Sequence, residues 1–246
     1  MKMRKFCLLS ATACMIAGSI VFTSCNKDNG GSGGSTFKSI TAKVDNDEDC
    51  DSVDEVYARI YYGSEEVYKV ADGDYTKGGF SIEFPATVKS QYLMDIEYFC
   101  DNLIDIDVKI SAKNAQIALV WFEGFTESGD YVGDFYYEKE SKTSDSEALF
   151  LYVDESCTVK GSEKDEDYSC TIDISLKEGW NIIYYTETDK SETLTSKDPG
   201  GLKWIFYDES SYKSYQPEGA AQTSAKKSSF AKSKLFPKVN FKEIVE

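Results

Sequence analysis

Carboxylates are the main reactive groups of this 246-residue chain, which holds 43 acidic residues and no histidine. Without histidine there is no Ser-His-Asp or Cys-His catalysis and no histidine-containing zinc site. Beyond residue 24 there is a single arginine, Arg59, which nearly excludes bidentate clamps on phosphate. The chemistry that remains is a glycosidase-type pair of carboxylates or oxygen ligation of calcium.

Two spacings place a pair of carboxylates on one face of a strand. Asp105 and Asp107 form the first pair, and Glu138 and Glu140 form the second. Because residues 26–212 contain 40 acidic side chains, such pairs arise by chance. We therefore predict no catalytic residues and a protein that is not an enzyme.

The densest acidic run is 45–51 (DNDEDCD), which has carboxylates at its first, third and fifth positions, as a calcium loop does. Its sixth position is Cys50, where the sharp turn of a calcium loop needs glycine. Its twelfth position is Val56, where a bidentate glutamate belongs. We therefore interpret the run as a solvated acidic loop and predict no metal and no cofactor.

Aromatic side chains are the second group with a chemical use, since flat rings on a β-sheet are surfaces on which sugar rings stack. Trp121 and Trp180 border strands that are apolar on both faces, and we expect both in the core. One member of each adjacent tyrosine pair should point outwards. These pairs are Tyr61 and Tyr62, Tyr136 and Tyr137, and Tyr184 and Tyr185. The sequence does not rank them, so the ligand-binding residues stay unassigned.

Four cysteines follow residue 25, namely Cys50, Cys100, Cys157 and Cys170. An even number outside the cytoplasm permits disulfides, although four buried free thiols are the alternative. If 157–160 and 167–170 form the arms of a hairpin, Cys157 lies opposite Cys170, at a Cα separation of about 5 Å that suits a disulfide. Cys50 would then pair with Cys100 by elimination.

The N-terminus has the layout of an export signal. Lys2, Arg4 and Lys5 precede an apolar stretch, 6–22, which at 17 residues is short for a membrane span. Residues 22–25 (FTSC) resemble the bacterial lipobox, which implies cleavage after residue 24 and lipidation of Cys25. We predict a signal peptide at 1–24, and a lipidated cysteine with a Gly/Ser tether at 25–36.

Charge divides the remaining chain into two parts. Residues 26–212 carry 17 basic and 40 acidic side chains, and a body this acidic repels nucleic acid. Residues 213–246 carry seven lysines against three glutamates. We predict that this basic tail is disordered, and that the membrane, through the lipid, is the one partner the sequence names.

The body, 37–212, has the composition of an all-β protein. Short runs rich in Val, Ile, Tyr, Phe and Thr alternate with turn residues, and 168–176 alternates apolar and polar side chains throughout. The runs 117–122 and 182–185 are apolar on both faces, which places them centrally. We predict an antiparallel two-sheet β-sandwich with little helix, the one candidate helix being 88–100. A division into two β subregions would fall near 111–114.

Three segments, 177–185 (KEGWNIIYY), 199–204 (PGGLKW) and 77–85 (KGGFSIEFP), resemble uncharacterised surface lipoproteins of Bacteroides-type (Bacteroidales) bacteria. That family has no assigned activity, so the resemblance implies an outer-membrane or cell-surface location and a β fold but no site residues. We expect a noncatalytic module that binds a glycan or a protein. The alternatives are a structural or adhesive subunit of a surface assembly and a carboxylate-dependent glycosidase.

Overall fold

The computed structural model describes residues 36–62, 66–76, 78–103 and 106–208. Its strands are β1 (Thr36–Phe37), β2 (Ser39–Lys43), β3 (Glu55–Tyr62), β4 (Glu66–Asp74), β5 (Gly79–Glu83), β6 (Met94–Asp95), β7 (Val108–Ile110), β8 (Gln116–Phe125), β9 (Tyr131–Glu140), β10 (Ser144–Val153), β11 (Cys157–Lys164), β12 (Ser169–Leu176), β13 (Gly179–Thr188), β14 (Ser191–Thr195) and β15 (Lys203–Asp208). One α-helix, α1 (Ile96–Leu103), and the 3-10 turns Asp47–Asp49 and Ser90–Tyr92 complete the described elements.

Thirteen of these strands form one large sheet, whose main path runs β4-β3-β8-β9-β10-β13-β14-β12-β11-β7. The strands β2 and β5 form a second, two-stranded sheet. The all-β prediction is confirmed. The sheet is mixed rather than purely antiparallel, because β14 runs parallel to β12 while pairing antiparallel with β13.

Two apolar cores lie on opposite faces of the same central strands. In β8, the side chains of Ala118, Val120 and Phe122 enter the first core, and those of Ile117 and Leu119 enter the second. Strands β10 and β13 alternate in the same way, as side chains of a pleated strand must. The first core is closed by β2 and β5, and the second by α1, β7, β11, β12 and β14. The prediction that the two-sided apolar strands are central is confirmed.

The helix is shorter than predicted and begins later. Val88 and Leu93 pack into the first core, whereas Ile96, Phe99 and Cys100 pack into the second. The chain therefore crosses from one core to the other between residues 93 and 96. Only the part beyond the crossing has apolar residues at the i, i+3, i+4 spacing that buries one helical face.

The hairpin of β11 and β12 forms, but its register differs from the predicted one. Cys157 lies opposite Leu176, and Cys170 lies opposite Glu163. Strand β11 continues through the polar residues 161–164, so the turn is shorter and the two cysteines lie six strand positions apart, or about 20 Å. A disulfide needs Cα atoms within about 7 Å, so the predicted Cys157–Cys170 bridge is wrong.

All four described cysteines are buried free thiols. The pairing of Cys50 with Cys100 is also wrong, because Cys50 belongs to the first core and Cys100 to the second. Burial raises the pKa of Cys50 and that of Cys157 to about 11. Each thiol therefore serves as a small apolar core residue.

Several predicted segments lie outside the described residues, namely the signal peptide 1–24, Cys25 with most of its tether, and the basic tail 213–246. They stay predictions, as does the subdivision near 111–114. No helix within the described ranges is long and apolar enough to cross a membrane.

Candidate binding face

Half of the large sheet has a second face that is part-exposed, which we call the outer face. In β3, β8, β9, β10 and β15, one set of alternate side chains points into the first core and the other set points to the outer face. The outer face therefore lies on the opposite side of the sheet from the first core, next to the second core. Its side chains are Tyr57, Arg59, Tyr61, Trp121, Glu123, Asp134, Tyr136, Glu138, Glu147 and Tyr207. Aromatic rings and carboxylates thus share one surface with the arginine.

An ion pair organises the middle of the outer face. Nη1 of Arg59 donates a 2.8 Å hydrogen bond to Oε2 of Glu123, and the Tyr61 hydroxyl donates to Oε1 of the same carboxylate. The side chain of Glu123 is 2% exposed, while that of Arg59 is 26% exposed. The buried carboxylate holds the other two groups in place, since a charged acceptor makes strong hydrogen bonds.

Aromatic rings surround this ion pair at contact distance. The ring of Tyr61 meets Trp121 edge to face, with centroids 5.6 Å apart. Tyr57 stacks on Phe125 at 4.3 Å, and the Arg59 guanidinium lies 5.2 Å from the Phe125 centroid. Both are favourable contacts, so the rings that remain part-exposed are held in fixed orientations.

Beside these rings the sheet forks. Strand β8 pairs with β9 through residues 122–125 and with β10 through residues 117–120, so β9 and β10 separate where they pass Trp121. A small cavity opens at the fork, which we call the slot. On the outer face it is lined by Leu119, Trp121, Tyr136, Glu147 and Leu149.

Two carboxylates meet at the slot. Glu147 on β10 lies directly opposite Glu138 on β9. Burial, followed by repulsion from Glu138, raises the pKa of Glu147 from 4.5 to about 8. Burial also raises the pKa of Glu138, but the hydroxyl of Tyr207 donates to its carboxylate and opposes the rise. Glu147 is therefore the carboxyl group of the pair that holds a proton at neutral pH.

The structure separates the aromatic candidates. Tyr61 and Tyr136 lie part-buried on the outer face, while Tyr137, Tyr184 and Tyr185 are buried in the cores. The side chain of Tyr62 lies outside the described residues.

Of the tryptophans, Trp180 is in the core as predicted and Trp204 is also buried. The core prediction for Trp121 holds in part. Its indole packs against the second core but is part-exposed rather than buried.

The structure describes three of the four carboxylates that strand spacing paired. Asp105 lies outside the described residues, and Asp107 is exposed. Glu138 lies on the outer face while Glu140 is exposed. The carboxylate that does face Glu138 is Glu147, which sequence spacing could not reveal because it lies on the next strand.

The acidic run 45–51 is an exposed loop centred on the turn Asp47–Asp49. Asn46 within it has a structural contact that sequence reasoning missed. Its side-chain amide donates to the carbonyl oxygen of Phe206 at 2.8 Å and accepts from the Phe206 N–H at 2.9 Å. The loop therefore holds β15 in place. No group of three or more metal-ligating side chains lies together within the described ranges.

The outer face therefore contains a fixed ion pair, part-exposed rings and a slot that Glu147 lines. No known protein family, curated protein or solved structure matches this chain.

Proposed function

We propose that this chain is a noncatalytic lipoprotein of the cell envelope that is anchored through Cys25 and binds a glycan on its outer face. The observation that carries the proposal is the position of the Arg59–Glu123 ion pair beside the part-exposed ring of Trp121. An extended sugar chain offers apolar ring faces and outward hydroxyl groups. Trp121 and Tyr136 supply surfaces for the first, and the part-exposed guanidinium of Arg59 supplies hydrogen-bond donors for the second.

The fixed orientation of the side chains on the outer face supports a binding site rather than an ordinary polar surface. The Glu123 carboxylate holds both Arg59 and Tyr61, and Tyr61 in turn contacts the Trp121 ring. Side chains that are already ordered lose little entropy when a ligand arrives, so more of the contact energy appears as affinity. The acidic balance of the chain, −16 overall, favours neutral glycans over nucleic acid.

Tryptophan fluorescence is the direct test. Trp180 and Trp204 are 3% and 1% exposed, so a sugar on the outer face should change the emission of Trp121. The mature chain, in a detergent without a sugar head group, is titrated with neutral and acidic polysaccharides. Saturable change with one of them supports the proposal, and the absence of any change across the panel contradicts it.

Two variants locate the site. Tyr136→Ala should weaken binding at least fivefold, about 1 kcal/mol. Tyr98→Ala is the matched control, because Tyr98 is a 53% exposed aromatic residue on α1, the helix that packs over the second core. Equal losses in both variants would place binding elsewhere.

A carboxylate-dependent glycosidase is the second candidate, favoured by the facing pair of Glu138 and Glu147. It predicts that new reducing ends appear when the chain is incubated with the glycan it binds, and that Glu147→Gln abolishes them. The noncatalytic proposal predicts binding without cleavage. A subunit of a surface assembly would instead elute as a large oligomer and leave Trp121 emission unchanged by sugars.

A further inference from the structure

The size of the slot limits what it can hold. Its volume is about 30 Å³, whereas one water molecule needs about 10–15 Å³ on the same measure. There is room for about two atoms of water size, which excludes a sugar ring. A hydroxyl or hydroxymethyl group fits, provided that its ring lies outside against Trp121 and Tyr136.

The chemical group at the slot is the carboxyl of Glu147. The slot is otherwise lined on the outer face by Leu119, Leu149 and the two aromatic rings. No side chain within the described ranges donates a hydrogen bond to Glu147. A ligand that enters the slot therefore meets one polar side chain with unused hydrogen-bonding capacity in apolar surroundings.

The groups that face Glu147 are acidic or neutral on every neighbouring strand. Glu138 lies opposite on β9, and Tyr185 lies opposite on β13. Asp145 precedes it on β10, opposite Glu187 of β13. Strand β8 contributes only apolar and aromatic side chains to the slot. No lysine or arginine among these neighbours neutralises an anion there.

We propose, on the basis of the function proposed above, that the slot is a specificity subsite for the hydroxymethyl group of an uncharged hexose unit, which Glu147 binds by a hydrogen bond. A uronic acid carries a carboxylate at the same position and is disfavoured there, because Glu138 faces the slot and no lysine or arginine of the neighbouring strands neutralises the added charge. A pentose carries no group there and leaves the slot unfilled. The subsite thus distinguishes neutral hexose chains from both.

The protonation state of Glu147 follows from its surroundings. With a pKa raised to about 8 by burial and by Glu138, Glu147 is a neutral donor and acceptor at pH 6 and an anion at pH 9. Ionisation draws water into the slot and removes the donor. Binding of the hexose unit should therefore weaken as the pH rises through about 8.

The first experiment compares oligosaccharides of equal length by calorimetry on the mature chain at pH 6. Hexamers of β-mannose, β-glucose and β-galactose serve as hexose chains, beside xylohexaose and hexagalacturonate. We expect the best hexose chain to bind at least tenfold more tightly than hexagalacturonate and at least fivefold more tightly than xylohexaose. Equal affinity for hexagalacturonate would overturn the subsite while leaving the outer face as a binding surface.

The second experiment uses the best hexose hexamer at pH 6 and pH 9. The unchanged chain should lose at least tenfold in affinity at pH 9, and Glu147→Gln, which is neutral at both pH values, should bind equally at both. Glu147→Ala should bind weakly at both. A pH dependence that persists in Glu147→Gln, or one that is absent from the unchanged chain, overturns the inference.

A third measurement needs no ligand, since Trp121 and Glu147 line the same slot. Trp121 emission should titrate with a midpoint near pH 8 in the unchanged chain, and this transition should be absent from Glu147→Gln. If the titration is seen but no hexose chain binds at either pH, both the function and the subsite are wrong. If a hexose chain binds without pH dependence, only the subsite is wrong.

Discussion

Arg59 on β3 and Glu123 on β8 form an ion pair with 2.8 Å between Nη1 and Oε2. The side chain of Glu123 is only 2% exposed. The pair lies in the middle of the outer face, and the opposite side of the sheet there is apolar core. Removal of the arginine would therefore leave a carboxylate in a place that water scarcely reaches. Such a change is costly even where the intact pair adds little.

We expect Arg59→Met to lower the free energy of unfolding by about 2–3 kcal/mol, somewhat less than for a fully buried pair because Arg59 is part-exposed. The double variant Arg59→Met/Glu123→Gln should recover part of the loss. Lys203→Met is the matched control, since Lys203 pairs with Asp45 at 2.9 Å on the exposed surface and should cost less than about 1 kcal/mol. Urea unfolding measures all three, and equal losses for Arg59 and Lys203 would contradict the prediction.

The raised pKa of Glu147 should appear as a pH-dependent stability. In the folded chain its pKa is about 8 rather than 4.5, so between these values the folded state binds more protons than the unfolded state. The free energy of unfolding should then fall as the pH rises through this window, by about 1 kcal/mol per unit or less. The free energy of unfolding of Glu147→Gln should lack this pH dependence. Plotted against pH, the stabilities of the unchanged chain and of Glu147→Gln should therefore converge near pH 5. Parallel curves from pH 5 to pH 8 would show that Glu147 ionises normally.

The buried thiols should be unreactive until the protein unfolds. Burial raises the pKa values of Cys50 and Cys157 to about 11, and the thiolate is the reactive form. At pH 8 the folded mature chain should take up almost no alkylating reagent, and the urea-unfolded chain should take up four equivalents without prior reduction. Uptake of fewer than four would show that disulfides form after export.

Asn46 should stabilise the protein although it lies in an acidic loop. Its side chain makes two part-buried hydrogen bonds with the backbone of Phe206, so Asn46→Ala should cost about 1–3 kcal/mol. Glu48→Ala, at an exposed neighbouring position, should change stability by less than about 0.5 kcal/mol. Equal free energies of unfolding for the two variants, measured by thermal or urea unfolding, would contradict the role of Asn46.

Membrane attachment should depend on Cys25 alone. Cys25→Ala should give a soluble or uncleaved precursor that takes up no labelled fatty acid, because the sulfur that carries the lipid is absent. Cys50→Ala is the control and should be lipidated normally. Palmitate labelling that persists in Cys25→Ala would show a second anchor.

Local pattern was sufficient to predict the β architecture. Successive side chains of a strand point to opposite faces, which is a property of the strand itself. This property explains the alternation along 168–176 and the central position of the runs 117–122 and 182–185, which are apolar on both faces. The central position of β8 and β13 follows from it. The buried place of Trp180 was predictable for the same reason.

The tertiary structure decided which strands are neighbours and in what register, and with them the candidate site. Glu147 faces Glu138, and Arg59 reaches Glu123, only because residues distant in sequence lie side by side on adjacent strands. The Cys157–Cys170 pairing failed on the same point, since a register shift of six residues moves one thiol about 20 Å from the other. The directions in which the side chains of a strand point are encoded over a few residues, whereas the register between strands depends on the packing of the whole core.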